Sequence, residues 1–420
     1  MTTTLAPPVE RRPPPLVRTV TKVFTRGPTV ALRRWRRRAL RLDYQRGGAN
    51  PGRDLPAEES DPAIVDTGRA LRQQLIAAHE RKHAAAGYRV LMFRPGSITA
   101  EIWFGDLQQS MQHAGIDCRV LPPDTPTREI NAAIDAFRPN VFIATEAPNS
   151  LRALDLPYLQ GHKRRHGCLR LLIPVWHANS PTVDVPSGRT SPEEDDWRRR
   201  LRLNGLMSDA HFSIFEPEFH ARFSHDPNGP KVEYIAVPQA CNPFTDYPVN
   251  AMKLHDYLIA ASMTDDRIEV SYRFLRPILG RYRGLWAGAQ WGFGAEGGIA
   301  PAEMPLHYAR ARVALSPLVG FVRRYGAELT HRVYAAAGCG AFQITLPTAI
   351  THRHFRPDEL VQAASPAEYA MLFDHYVDRP EARNAIALAA LRRVYAEHTC
   401  LHRIDTLVSH WDDWRRRGLF

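Results

Sequence analysis

The sequence predicts an α/β protein with two doubly wound parallel sheets behind a basic N-terminal extension. Three observations predict this class. Short apolar runs alternate with amphipathic segments over 88–237, and the same alternation returns over 256–345. Strands that alternate with helices are joined by right-handed crossovers and form parallel sheets. The 420 residues, 44% of them hydrophobic and 24% charged, suffice for two or three globular domains.

Charge and composition exclude several classes of protein. The net charge is +11, but residues 1–50 hold 12 basic residues against two acids, Glu10 and Asp43, so the rest of the chain is nearly neutral. This distribution argues against a nucleic-acid enzyme with a basic groove. There is no run of about 18 apolar residues for a membrane span, and no apolar segment typical of a secretory signal. Five widely separated cysteines, several in apolar runs, predict reduced, buried thiols in a cytoplasmic protein.

The first element is a basic helix at 31–42. Leu32, Trp35, Ala39 and Leu42 share one helical face, and arginines cover the rest. Two interpretations stay open. One is a solvated basic helix, and the other is a helix that lies on an anionic membrane with Trp35 as its interfacial anchor.

The extension spans residues 1–60 and is predicted to be disordered except for this helix. Prolines predict disorder over 1–28, and glycines with a proline predict a linker over 45–60. A polar lead-in helix follows at about 62–86, within a segment spanning 61–87.

The first alternating series predicts an N-terminal domain over 88–245. Each predicted strand is a short apolar run, as expected for strands buried on both faces. The strands span 88–93, 116–121, 141–144, 169–175, 210–215 and 232–237. The predicted helices between them span 101–114, 127–137, 149–166, 191–205 and 216–223.

The second series predicts a C-terminal domain over 246–400 and a helical tail over 401–420. The strands span 256–261, 284–287, 313–316 and 341–345, the helices span 267–279, 301–311 and 329–337, and loops span 288–298 and 317–326. Mainly helices follow after 345.

Two histidine pairs are candidate metal ligands. His79-Glu-Arg-Lys-His83 matches the H-E-x-x-H pattern, which puts two imidazoles on one helical face. The two basic residues in its middle, and the lack of an obvious third ligand, argue against zinc. His352 and His354 are interpreted as surface residues of a loop.

His177 follows the fourth predicted strand directly. Doubly wound sheets bind ligands beyond the carboxyl ends of their strands. A histidine at this place can act as a base, as a hydrogen-bond donor to a ligand or as a structural cap.

The most informative stretch is 325–345, which reads as a loop, a small-residue helix, a tight glycine turn and a strand. Thr330 can cap the helix, whose free N–H groups attract an anion. Arg332 in the first turn adds a fork that can grip a diphosphate. Ala335, Ala336 and Ala337 would let the helix approach the sheet closely. The alternative is a packing helix with an exposed arginine.

From about residue 88 to the end, the chain resembles GT-B glycosyltransferases. It resembles specifically the CgeB-type, spore-maturation-protein-like branch with its group-1-like C-terminal domain. The resemblance rests on 332–345, on Phe-Arg-Pro-Asp-Glu-Leu-Val at 355–361, on Ser-Pro-Ala-Glu at 365–368, and on Glu397-His398-Thr399 followed by Arg403. Weaker matches are 256–262 with Arg267, and Ala-Cys-Asn-Pro-Phe at 240–244.

The resemblance implies two Rossmann-like domains that face a cleft and the transfer of a sugar from a nucleotide-sugar to an acceptor. The donor would bind the C-terminal domain, and the acceptor, a glycan, protein or small molecule, would approach from the N-terminal one. No D-x-D-type carboxylate cluster is present, so neither a metal nor another cofactor is expected. Retention of the anomeric configuration follows only by analogy with group-1 enzymes.

The resemblance and the residues together give the expected site. Its catalytic residues are His177 and Glu328, and its donor-binding residues are Arg267, His331, Arg332 and Glu359. The resemblance also includes Glu397, His398 and Arg403. These residues either belong to the family's closing signature or have a structural role, in which they hold the last helices against the core.

The chain departs from the group-1 pattern in one respect. The second acid of the E-x7-E pair is missing, because alanines stand at 335 and 336. A catalytically inactive scaffold with this fold and a nucleotide-sugar epimerase therefore stay open as alternatives.

Overall fold

A computed structural model of the chain describes residues 15–49, 55–94, 96, 98–145, 148–173, 206–217, 233–261, 265–288, 298–316 and 329–420. The predicted pair of parallel sheets is confirmed. The predicted helix 191–205 and the loop 317–326 lie outside the described residues, as do most of the predicted helix 216–223 and of the loop 288–298.

The first sheet has six parallel strands within the described residues. They are β1 (Arg89–Phe93), β2 (Asp117–Leu121), β3 (Val141–Thr145), β4 (Leu169–Ile173), β5 (Ala210–Ser213) and β6 (Glu233–Ala236). Their order in the sheet is β2-β1-β3-β4-β5-β6. The chain thus winds outward in both directions from β1, which puts the switch point between β1 and β3.

The second sheet has five described parallel strands. They are β7 (His255–Ala260), β8 (Gly284–Ala287), β9 (Ala311–Ser316), β10 (Gln343–Thr345) and β11 (Val361–Gln362), and their order is β11-β10-β9-β7-β8. Its switch point lies between β7 and β9.

The described α-helices follow in chain order. Before β7 they are α1 (Pro15–Ala49), α2 (Pro62–His79), α3 (Ile98–His113), α4 (Thr127–Phe137), α5 (Pro148–Ala153) and α6 (Leu156–His166). After β7 they are α7 (Asp265–Phe274), α8 (Arg276–Leu279), α9 (Met304–Ala309), α10 (His331–Gly338), α11 (Thr351–His354), α12 (Pro366–Tyr376), α13 (Pro380–Glu397) and α14 (Cys400–Arg416). Two short 3₁₀ turns, Ala84–Ala86 and Pro301–Glu303, complete the described helical elements.

Both faces of the first sheet are covered, which explains why its strands are nearly continuous apolar runs. In β1, Val90 and Met92 join one buried cluster and Leu91 and Phe93 join the other, as the two-residue period of a strand requires. The last helix, α14, contributes Trp411 and four other side chains to the first of these clusters. The chain therefore returns from the second sheet to finish against the first. The domain limits given above stay predictions.

Helix α1 is longer than the sequence predicted. It runs from Pro15 to Ala49, so the predicted disorder over 1–28 and the predicted linker over 45–60 are wrong where they overlap it. Gly47 was one of the residues that predicted a linker, but in the structure it lets α1 pack closely against the chain at Leu279. A Cβ atom at this position would overlap the carbonyl oxygen of Leu279. All five cysteines are buried and none is in a disulfide, as predicted.

Candidate functional site

The guanidinium of Arg332 lies at the carboxyl end of β7. Arg332 is in the first turn of α10, and its Nη1 donates to the carbonyl oxygen of Ala260, 3.1 Å away. No carboxylate among the described residues forms an ion pair with it. Burial lowers the pKa of Arg332, although the nearby Tyr308 and Tyr369 act in the opposite direction. Burial of this cation is therefore energetically costly.

A second arginine lies beside it. Arg267, in the first turn of α7, is largely shielded from solvent, and burial together with the charge of Arg332 lowers its pKa to about 9. We call Arg267 and Arg332 the arginine pair. Two neighbouring guanidinium groups with little hydration repel each other, and an anion bound between them would relieve the repulsion.

The N-terminus of α10 adds unsatisfied polar groups to this region. Thr330 is at the N-cap position, but its hydroxyl does not accept a bond from the helix, contrary to the expected capping. The same hydroxyl is buried and has no hydrogen-bond partner among the described residues. The free N–H groups of a helix N-terminus attract anions.

Small residues bring α10 against its sheet, as the sequence predicted. Ala335 and Ala336 are buried in one cluster with Leu258 of β7 and Ala314 of β9. Because β7 and β9 flank the switch point, the helix starts where doubly wound sheets bind their ligands. On its other side Gly338 lies so close to Cys241 that a Cβ atom there would overlap the sulfur.

The imidazole of His331 joins a network that links the two halves of the chain. Its Nε2 lies 3.5 Å from Oδ2 of Asp106, on α3, and 3.8 Å from Oδ2 of Asp246. Asn242 connects the two acids, because its side chain donates to Asp106 at 2.8 Å and its backbone N–H donates to Asp246 at 2.8 Å. We call Asp106, Asn242, Asp246 and His331 the linker network.

The charges of this network are coupled. Burial raises the pKa of Asp246 to about 6, although His331 works against this shift. Burial opposes a charged His331, but the carboxylates of Asp106 and Asp246 outweigh it and raise the pKa of this imidazole. Sequence reasoning identified His331 and missed the other three residues. The only signal was Asn242 within the weak match at 240–244.

Glu359 is almost fully buried, at 2% exposure, and both of its oxygens meet arginines. Arg393 donates through Nε at 3.1 Å, and Arg356 donates through its backbone N–H at 2.8 Å. Among the described contacts none joins Glu359 to the arginine pair. Its predicted role at the donor sugar stays a prediction. His177 and Glu328 lie outside the described residues.

The signature around 397–403 fastens the segment between the two sheets. Arg403 donates to the carbonyl oxygens of Pro238 at 2.9 Å and of Gln239 and Glu397 at 3.2 Å each. His398 accepts at its backbone oxygen from Cys241 N–H, at 2.9 Å. The described contacts of Arg403 and His398 therefore support the structural role, which is one of the two alternatives that the sequence left open.

His354 is buried, so the interpretation of this residue as a surface histidine is wrong. It is 6% exposed and lies between the hydroxyl of Tyr334, 3.1 Å from Nδ1, and Glu216, 3.3 Å from Nε2. Since Glu216 follows β5, this contact also joins the two halves of the chain. His352 is exposed, as expected.

The H-E-x-x-H histidines both contact one carboxylate. Helix α2 ends at His79, so the expectation that both imidazoles share a helical face is wrong. Asp405 of α14 lies 3.0 Å from His79 Nε2 and 2.7 Å from His83 Nε2, and it also accepts from Lys82 at 2.7 Å. This arrangement ties the lead-in helix to the last helix.

Neither a metal centre nor a membrane-spanning helix is present among the described residues. No group of three or more His, Cys, Asp or Glu side chains there has a geometry that could hold a metal ion. In the same part of the chain, no helix combines the length and hydropathy needed to cross a bilayer.

Residues 267–409 match a family model described as glycosyl transferase-like. This match includes both members of the arginine pair. No curated protein matches the chain in sequence.

Solved structures show the same fold. Sucrose-phosphate synthase from Thermosynechococcus elongatus matches with a TM-score of 0.55 at 11% identity, over 79% of this chain and 99% of that chain. Anabaena Alr3699/HepE in complex with UDP-glucose matches with a TM-score of 0.53 at 8% identity, over 78% of this chain and 100% of that chain. The chain therefore has the GT-B glycosyltransferase fold, and its residues 267–409 are similar to the glycosyl transferase-like family. The CgeB-type assignment stays a prediction.

Proposed function

We propose that this protein transfers a sugar from a nucleotide-sugar donor to an acceptor. The observation that carries the proposal is the arginine pair, which lies at the switch point of the second sheet beside the start of α10. Two sets of findings support it. The glycosyl transferase-like match covers this region, and HepE, which has the same fold, was crystallised in complex with UDP-glucose.

The chemistry requires a group that stabilises a leaving nucleoside diphosphate. When the bond between the anomeric carbon and the phosphate oxygen breaks, negative charge develops on the diphosphate. The arginine pair and the backbone amide of His331 would stabilise this charge without reorganisation, because they are already held in place. Since these cations belong to the chain itself, we propose that transfer needs no metal ion.

The new bond forms between the anomeric carbon and an acceptor oxygen, whose proton goes to a base. We propose His177 on the acceptor side and Glu328 at the donor sugar for this part of the reaction, with Glu359 near the donor hydroxyls. Retention of the anomeric configuration rests on analogy with group-1 enzymes alone, and NMR of the product would test it.

Equilibrium binding separates transfer from the scaffold alternative. The full chain is titrated with UDP, GDP and ADP in the presence of a chelator, and we expect one of them to bind. A folded sample that binds none of them, with or without Mg²⁺, would refute the proposal. Binding that appears only with Mg²⁺ would refute metal independence alone.

Donor turnover separates a transferase from an epimerase. The nucleotide-sugars of the base that binds are incubated with the protein, with and without acceptors from a cell extract, and mass spectrometry follows the products. We expect release of nucleoside diphosphate that depends on the acceptor. Conversion of the donor sugar into an isomer without any acceptor would favour the epimerase.

A further inference from the structure

Helix α1 packs against the protein body through contacts with α7, α8 and β8. Leu40 is fully buried there, and Tyr44 packs against the same core as α7 and α8. Ion pairs reinforce the contact, since Arg36 lies 3.1 Å from Glu269 and Asp43 lies 2.5 Å from Nε of Arg276.

The apolar stripe predicted from the sequence is only partly covered by the body. Trp35 contacts the ring of Tyr272 on α7, with centroids 5.2 Å apart, yet it remains 54% exposed, and Leu32 and Leu42 are each 44% exposed. Eight large hydrophobic side chains are exposed in the described residues, and four of them lie between Val30 and Leu42. Half of the exposed apolar side chains are thus concentrated in less than four turns of one helix.

Positive charge accompanies this stripe. Arg34, Arg38 and Arg41 are exposed beside the apolar residues. Asp43 is the one acid in the sequence of α1, and its side chain is only 8% exposed because it is turned toward the body. We call Leu32, Arg34, Trp35, Arg38, Arg41 and Leu42 the outer face of α1. It combines apolar and cationic groups and contains no acid.

A groove of about 340 Å³ lies in this region, lined by Arg38, Trp35 and Leu42 together with Asp43 and its partners Arg46 and Arg276. Asp43 pairs with Arg46 and Arg276, so Arg38 is the cation of the groove that belongs to the outer face. Cations next to an indole and an aliphatic side chain suit a molecule that is anionic at one end and apolar at the other.

We propose that the outer face of α1 binds the surface of a membrane that contains anionic lipids. Arginines are attracted to the negative surface potential, and Trp35 and Leu42 then enter the interface between head groups and acyl chains. A nucleic acid would satisfy the arginines but would leave the apolar side chains in water. A membrane satisfies both.

Vesicle flotation with the full chain tests this proposal. We expect the protein to float with vesicles of equal parts phosphatidylglycerol and phosphatidylcholine, and to stay behind with pure phosphatidylcholine. The change R34Q/R38Q/R41Q should weaken partitioning by roughly 10²-fold, because it removes the electrostatic attraction of three arginines to the anionic surface. The change W35S/L42S should weaken it by about tenfold, and this loss should persist in high salt because it is not electrostatic.

The matched control removes the same charge elsewhere. The residues Arg69, Arg392 and Arg416 are exposed on α2, α13 and α14, so R69Q/R392Q/R416Q should float like the unchanged protein. Thermal melting checks that every variant is folded. The proposal is overturned if the unchanged protein does not float, or if the control loses as much binding as the outer-face variants. It is also overturned if W35S/L42S abolishes a dimer or RNA binding while flotation is unaffected.

Discussion

Replacing Arg267 by Met should weaken anion binding and at the same time leave the empty protein more stable. Burial and the neighbouring Arg332 lower the pKa of Arg267 to about 9, from an ordinary 12.5. At about 1.4 kcal/mol per pKa unit, this corresponds to a destabilisation of the charged form of at most ~5 kcal/mol. Screening by solvent and the loss of the contacts that Arg267 itself makes reduce the realised effect, so we expect the free energy of unfolding to rise by at most about 1–2 kcal/mol.

The effect on binding has the opposite sign. Charge-assisted hydrogen bonds to a diphosphate contribute about 1.5–3 kcal/mol each, which corresponds to a loss of roughly 10²-fold in affinity. Inorganic pyrophosphate is a suitable probe, because it carries the linked phosphates without any assumption about the base. Calorimetric titration measures its affinity, and thermal denaturation measures stability with and without it.

Ligand-induced stabilisation supplies an internal check. Pyrophosphate at about 100 times its dissociation constant should stabilise the unchanged protein by ~2.7 kcal/mol, and this gain should fall to ~0.4 kcal/mol in Arg267→Met at the same concentration. Arg273→Met is the matched control, because Arg273 is exposed on the same helix. If Arg267→Met lowers the stability of the empty protein and leaves pyrophosphate affinity unchanged, the arginine pair is structural and the reasoning fails.

Four further changes test the rest of the site. Arg332→Ala should lower donor affinity or turnover by about 10²-fold or more, as binding and rate assays would show. Arg403→Met should cost about 3–5 kcal/mol in urea denaturation because it leaves three carbonyl groups without their donor, and Arg403→Lys should restore part of the loss. His331→Gln should cost most stability below pH 6.5 and progressively less as the pH rises through the raised pKa of the folded state, measured by denaturation at several pH values. Burial favours the neutral form of Asp405, but hydrogen bonds from Lys82, His83 and His79 outweigh it and lower the pKa of this carboxyl group. The stability that Asp405→Asn loses should therefore be seen above about pH 4 and should vanish in more acidic solution.

Local patterns predicted helix α10 and all the described strands except β11, because their signals lie in neighbouring residues. The two-residue β11 lies in the stretch after 345 for which the sequence predicts mainly helices. A run such as 141–144 predicts a buried strand by its own composition, and β3 is buried throughout. Likewise, three alanines in one helix predicted the close approach of α10 to β7 and β9. Arg332 followed from its place in the first turn of that helix.

The sequence could not predict contacts between residues far apart in the chain. Asp106 and His331 are separated by more than two hundred positions, and nothing near either residue indicates the other. His354 looked like a surface residue because its neighbours are polar, yet it is buried between Tyr334 and Glu216. For α1 the periodicity identified an apolar stripe, but Leu40 on another side attaches the helix, because the surface of α7 and α8 determines which side fits.

Arg403 and His398 act on the region of the arginine pair through the backbone that they hold. Arg403 and His398 fix the segment 238–241. The next residues of that segment are Asn242 and Asp246, which hold Asp106 of the first half and lie beside His331 of the second. His331 in turn precedes Arg332 in the first turn of α10. Arg403 and His398 therefore help to position the arginine pair relative to the first sheet, through the backbone of the segment that they hold.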